Sequence, residues 1–122
     1  MGRVAHFELS AENMDRAITF YREVFGWNIF KWDGPMEYWL VSTGDPSTPG
    51  IDGAIVSREQ QPVPVINTIN VDSIDDTIAK VTASGGTVMM PKGPVPGVGY
   101  LAYCTDSEGN AFGLMQADTS AA

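Results

Sequence analysis

The chain is poor in the residues from which many active sites are built. It has 1 cysteine and 1 histidine in 122 residues. A lone cysteine, Cys104, excludes an internal disulfide and any cysteine-cluster metal site. A lone histidine, His6, excludes a multi-histidine cage within one chain. Basic residues are scarce as well: 7 Lys+Arg stand against 15 Asp+Glu, for a formal net charge of -8. Nucleic acid and anionic membrane surfaces are held by a basic face that displaces counterions, so neither is an expected partner. No stretch approaches the roughly 18 apolar residues of a membrane-spanning helix. The residues around Gly2, Arg3 and Val4 lack the apolar run of a secretory signal, and the expected location is cytoplasmic.

What is present is an ordinary globular composition, 43% hydrophobic, long enough for a core without covalent staples. Val4 to Leu9 alternates as a strand, with His6 and Glu8 on one face and Ala5, Phe7 and Leu9 on the other. A helix is predicted from Asn13 to Phe25, with Asn13 as N-cap, apolar residues at helical spacing from Met14 to Phe25, and Gly26 ending it. Three strand-like runs follow: 27–32, 37–43 and 53–57. After a connector at 58–64 the order restarts. The second half reads as a strand at 65–71, a helix from Ser73 to Ser84 closed by Gly85-Gly86, and strands at 87–90, 100–104 and 111–116. Gly93 to Gly99 reads as turn chemistry, and 117–122 as a frayed tail.

The restart carries the most information. Against a 60-residue shift of the chain on itself, Met14-Asp15 falls on Ile74-Asp75, Ile18 on Ile78, Gly26 on Gly86 and Gly53 on Gly113. Each half then reads β-α-β-β-β. The chain is therefore expected to be α+β, with two tandem βαβββ modules (1–57 and 65–116) sharing one core as a single domain.

The run 11–21 with Val24-Phe25-Gly26-Trp27, its counterpart 71–78, and the stretches 90–100 and 106–116 resemble the vicinal oxygen chelate superfamily, the glyoxalase/bleomycin-resistance/dioxygenase group. The resemblance covers nearly the whole chain. It implies a curled, barrel-like sheet around a cavity, a small organic ligand or substrate, and a homodimer. It does not choose between lyase, isomerase, dioxygenase and binding protein. In the metalloenzymes of this group, ligands come from the first and last strand of each module. Carried over position by position, these fall on His6, Ile66, Gly53 and Gly113. Only His6 can coordinate, and a catalytic zinc wants at least three protein ligands. No cofactor is expected, and a divalent metal is disfavoured, with Glu8 the one substitute ligand at hand.

His6 and Glu8 leave one strand face roughly 6–7 Å apart, close enough for an acid/base pair in a partly dry pocket. The plainer alternative is internal hydrogen bonding, for example between Glu8 and Thr68. Trp27, Trp32, Tyr38, Trp39, Tyr100 and Tyr103 form the aromatic stock, either a stacking wall or ordinary core. The expected ligand pocket is Trp39, Thr68, Tyr103, Gly113 and Met115. Cys104 reads as a small core residue, and Lys92 as solvated surface or a reach toward an anion. Three readings follow: a metal-free small-molecule-binding protein, a metal-independent lyase or isomerase using His6 and Glu8, or a metal-dependent glyoxalase or dioxygenase.

Overall fold

The computed structural model describes residues 2–34 and 36–122; Met1 and Pro35 lie outside the described residues. The chain is α+β and runs β1 (Arg3–Ala11), α1 (Met14–Phe25), β2 (Asn28–Lys31), β3 (Tyr38–Ser42), β4 (Asp52–Ser57), β5 (Val65–Asn70), α2 (Ile74–Ala83), β6 (Thr87–Val95), β7 (Gly99–Thr105) and β8 (Ala111–Ala117). This is the expected doubled βαβββ order. The contacts gather into two compact units, His6–Ile66 and Asn67–Ala122, the latter including the chain up to Ala5.

In the first unit the strand order is β2-β3-β4-β1. β1 lies parallel to β4, and the other pairs are antiparallel. Helix α1 starts where the Asn13 side chain accepts from the Arg16 N–H at 3.0 Å. It ends at Gly26, whose φ of 69° is the left-handed value that glycine adopts without steric cost. The apolar side of α1 packs with Phe7, Leu9, Ala11, Ile29, Trp39, Val41 and Ile55. Tyr21 stacks on Trp27, with ring centroids 4.8 Å apart. The 58–64 connector is clamped to β1: Ser10 Oγ donates to the Val63 carbonyl at 2.9 Å, and Arg58 donates to the Ser10 carbonyl at 3.0 Å.

In the second unit the order is β5-β8-β7-β6. Here Ser73 caps α2, and Gln116 Oε1 accepts from the Ile74 N–H at 2.9 Å. Ile74, Ala102, Cys104 and Leu114 form the buried centre of this unit's core. Cys104 is a core residue, as expected, and burial pushes its thiol above the ordinary range.

Two local expectations are corrected. The strand expected to end at Met90 continues to Val95, through the run read as turn chemistry. It is an edge strand with register shifts around Met90, so Pro91 and Pro94 sit where a missing N–H costs little. The tail is also tied down. Asp118 donates its N–H to the Val98 carbonyl at 2.9 Å, the Ala121 carbonyl accepts from Gly97 at 3.0 Å, and Ala121 is buried.

Gly53 explains why β4 can lie so close to β1. A Cβ at this position would stand 2.4 Å from the Phe7 carbonyl oxygen and 2.6 Å from the Phe7 ring. Backbone cannot yield as a flexible side chain can, so Gly53→Ala is expected to destabilise the fold by about 1–3 kcal/mol, read as a lower urea midpoint. Cys104 provides a second check. Its thiol should resist a water-soluble maleimide in the folded protein and react at an unhindered rate in denaturant; rapid native labelling would contradict its place in the core.

Candidate functional site

The pleat of β1 divides its side chains between two environments. Phe7, Leu9 and Ala11 turn toward α1. His6, Glu8 and Ser10 leave the opposite face, where His6 is half-buried and Glu8 and Ser10 are buried. On β4 the register sets His6 beside Asp52, Glu8 beside Ala54 and Ser10 beside Val56. On β3, Tyr38 lies opposite Val56 and Leu40 opposite Ala54, so both share that face. Tyr38 is thus two pleats from the His6–Asp52 pair. Its ring spans the row of the small, fully buried Ala54 to bring its hydroxyl 3.0 Å from His6 Nε2.

The electrostatics follow from this placement. Burial lowers the His6 pKa from its ordinary 6.5, and that effect outweighs the opposing pull of Glu8 and then Asp52. Glu8 is a buried residue, 5% exposed. Asp52 is exposed, and its Oδ1 accepts from the Thr43 N–H at 2.9 Å and the Thr43 hydroxyl at 3.3 Å. His6, Glu8, Asp52 and Tyr38 therefore meet on one face of the first unit.

The expected ligand pocket is divided. Thr68, Tyr103, Gly113 and Met115 share one face of the second unit: Thr68 and Tyr103 are both register partners of Gly113, and Met115 is one pleat further along β8. A Cβ on Gly113 would approach Thr68 Oγ1 to 2.9 Å and the Tyr103 ring to 3.3 Å, so close packing accounts for this glycine. Trp39 is a correction. It pairs with Ile55 and packs into the core under α1, on the side of the sheet away from His6 and Glu8. Its indole Nε1 is buried without a hydrogen-bond partner. Lys92 is no reach toward an anion: it pairs with Asp75 at 3.0 Å and lies 4.7 Å from the centre of the Tyr100 ring.

Gly53 is a second correction. It is the register partner of Phe7 and shares the helix-facing side with it. The β4 positions on the His6 side are the exposed Asp52 and the buried Ala54 and Val56. Asp52 was passed over by sequence reasoning, and Tyr38 was read only as part of the aromatic stock. The signal for Asp52 lay in the parity of β4, one residue off the fixed 60-residue shift. No local pattern marks Tyr38 as the partner of His6. Among the described residues, no group of three His, Cys, Asp or Glu side chains is arranged to hold a metal ion. No helix in them is long and apolar enough to cross a membrane.

Residues 3–114 match the Glyoxalase/Bleomycin resistance protein/Dioxygenase superfamily, and the chain belongs to that family. A Mycobacterium tuberculosis protein named "Putative glyoxylase CFP32" is 30% identical over 117 residues, covering 91% of this chain and 44% of its own length. The chain thus spans less than half the length of that relative. A Vibrio parahaemolyticus protein named "Probable lactoylglutathione lyase" is 30% identical over 129 residues, covering 94% of this chain and 91% of its own length. The methylmalonyl-CoA epimerase of Mycobacterium tuberculosis shares the fold with a TM-score of 0.69 at 10% identity, over 93% of this chain and 87% of that one. A hypothetical protein of Bacillus halodurans does so with a TM-score of 0.71 at 14% identity, over 99% and 98%.

His6 links stability to pH with a definite sign. Above pH 6.5 its imidazole is neutral whether the chain is folded or not. As pH falls through 6.5 toward the lower folded value, the unfolded chain binds a proton that the folded chain does not. Stability is therefore lost on acidification in that window. The turn carboxylates Asp45, Asp106 and Asp118 are held below their ordinary 3.8 by turn hydrogen bonds and act only at lower pH. In urea melts, the decline as pH falls below 6.5 should flatten in His6→Gln; an unchanged slope would sink this assignment.

Proposed function

We propose that this chain binds a small organic molecule without a metal ion, using the face of the first unit that carries His6 and Tyr38. The observation that carries the reading is the His6–Tyr38 pair, joined at 3.0 Å on that face with Glu8 and Asp52 beside it. Sequestration needs a few fixed polar groups and no catalytic group, and these residues supply the polar groups. The thin donor set supports the metal-free part. The positions carried over from the metalloenzymes hold His6, the buried Ile66 and two glycines. Reading β4 by its pleat replaces Gly53 with Ala54, which is equally without a donor. His6 Nε2 is already engaged by Tyr38. These residues do not fit the catalytic metal of the family.

One observation favours a second reading, metal-independent proton transfer. The lowered pKa of His6 keeps its imidazole in the base form at neutral pH, and Glu8 lies on the same face. In that reading His6 takes a proton from a carbon acid next to a carbonyl and returns it, as a lyase or isomerase would. Tyr38, hydrogen-bonded to the same ring, holds the imidazole in place.

A native mass spectrum of the protein as purified, followed by the same measurement on His6→Asn and Tyr38→Phe, tests both readings. The expected result is a metal-free mass, an organic adduct on the wild type, and at least a tenfold weaker adduct in each variant. The subunit count comes from the same spectrum, with two expected from the family resemblance. A stoichiometric divalent ion bound through His6 would overturn the metal-free reading. If the adduct takes up solvent deuterium with wild type and not with His6→Asn, proton transfer replaces simple binding.

A further inference from the structure

Helix α1 leaves large apolar residues in solvent. Phe20 is 54% exposed, Val24 55% and Phe25 59%. The helix packs against the core through Met14, Ala17, Ile18 and Tyr21. The exposed rings are anchored to that packing: Phe20 meets Tyr21 edge-on with centroids 5.2 Å apart, and Phe25 stacks on Tyr21 at 6.1 Å. The exposed parts of Phe20, Val24 and Phe25 come to roughly 300–400 Å², the size at which an apolar patch on a monomer marks an interaction surface.

Spacing and charge along α1 identify what covers this patch. The N-cap Asn13 is followed at intervals of four, three and four residues by Ala17, Phe20 and Val24, the spacing of a seam that packs on another helix. A second α1 running antiparallel about a two-fold axis sets Phe20 of each copy over Ala17 of the other, large against small. Arg16 and Glu23 flank the seam on one side, seven residues apart, and both are exposed. The same antiparallel pairing brings Arg16 of each copy to Glu23 of the other, so one symmetry operator makes two ion pairs. The charges of the helix are Asp15, Arg16, Arg22 and Glu23, net zero in a chain of net charge -8. Two acidic copies can therefore meet here without facing like charge.

We infer that the exposed flank of α1 is a self-association surface, on which two copies of this chain pair their helices antiparallel through the Ala17–Phe20 seam. The patch is under half of the about 800 Å² per partner that a standard stable interface buries. The dimer is therefore concentration-dependent, with a Kd in the micromolar range. Nothing in this pairing depends on the ligand face of the first unit.

Sedimentation velocity on the full chain, over about 1–500 μM, tests this inference. The wild type should pass from monomer to dimer within that range. Phe20→Glu should raise the dimer Kd by about a hundredfold or more, because it places a carboxylate in the seam. Arg16→Glu alone and Glu23→Arg alone each turn both ion pairs into like-charge contacts and should each raise the Kd by about tenfold. An equimolar mixture of these two variants restores opposite charges in both pairs, so the mixed dimer should form about as tightly as the wild type. All three positions are exposed, and circular dichroism confirms that each variant folds. A wild type that stays monomeric throughout would overturn the inference. So would a dimer that survives Phe20→Glu, since it would lie on another face. Failure of the mixture to restore pairing would overturn the antiparallel arrangement.

Discussion

β1 has to satisfy two environments with one strand, and the first unit is arranged around that constraint. Successive side chains leave opposite faces, so the register of β1 against β4 fixes every residue on both faces at once. In the register observed, Phe7, Leu9 and Ala11 meet the core under α1, while His6, Glu8 and Ser10 meet Asp52, Ala54 and Val56. A slip of one residue would drive Glu8 and His6 under α1 and turn Phe7 and Leu9 outward. Burying a carboxylate in an apolar core costs several kcal/mol unless it is paired. The polar residues of the face away from α1 thus help to hold the register that places them there. Gly53 completes the arrangement, because no larger residue fits beside the Phe7 carbonyl.

The two units share one plan and differ in chemistry. Thr68 stands in the second where Glu8 stands in the first, and Gly113 where Ala54 stands. The corresponding face of the second unit presents Thr68, Gly113, Met115, Leu101 and Tyr103. It carries no carboxylate and no imidazole. Duplication accounts for the common scaffold: each unit needs the same caps, the same parallel first-to-last strand pairing and the same apolar helix face. Nothing in that scaffold requires the faces away from the helices to stay alike, and the carboxylates and the imidazole lie on one of them.

Much of the fold was legible because it rests on local rules. Asn13 and Ser73 cap helices where a side-chain oxygen before an apolar periodic run says they should. The alternation of β1 separates His6 and Glu8 from Phe7 without any knowledge of the partner strand. Partner positions on other strands were less legible. The β3–β4 connection occupies 43–51 and the β7–β8 connection 106–110, so a fixed shift cannot hold through both halves. Glu8 and Thr68 are 60 apart, yet their partners Ala54 and Gly113 are 59 apart. That single residue reverses parity. It sends Gly53 to the helix side and leaves Asp52 unnoticed beside His6. Trp39 was misplaced for a related reason: its run is apolar on both faces, and only the pairing with Ile55 shows which one it occupies.

The hydrogen-bond chemistry of His6 draws these threads together. Desolvation prevails over two nearby carboxylates, so the ring is neutral at physiological pH and has one donor and one acceptor nitrogen. Nε2 lies against the Tyr38 hydroxyl. Either partner can donate in that bond, so the pair keeps its geometry in both tautomers of the imidazole. The ring is therefore fixed twice, by the strand register that sets it beside Asp52 and by the tyrosine that reaches it from β3. Moving either strand by one residue would break the pair, so the hydrogen bond and the register of β1 support each other.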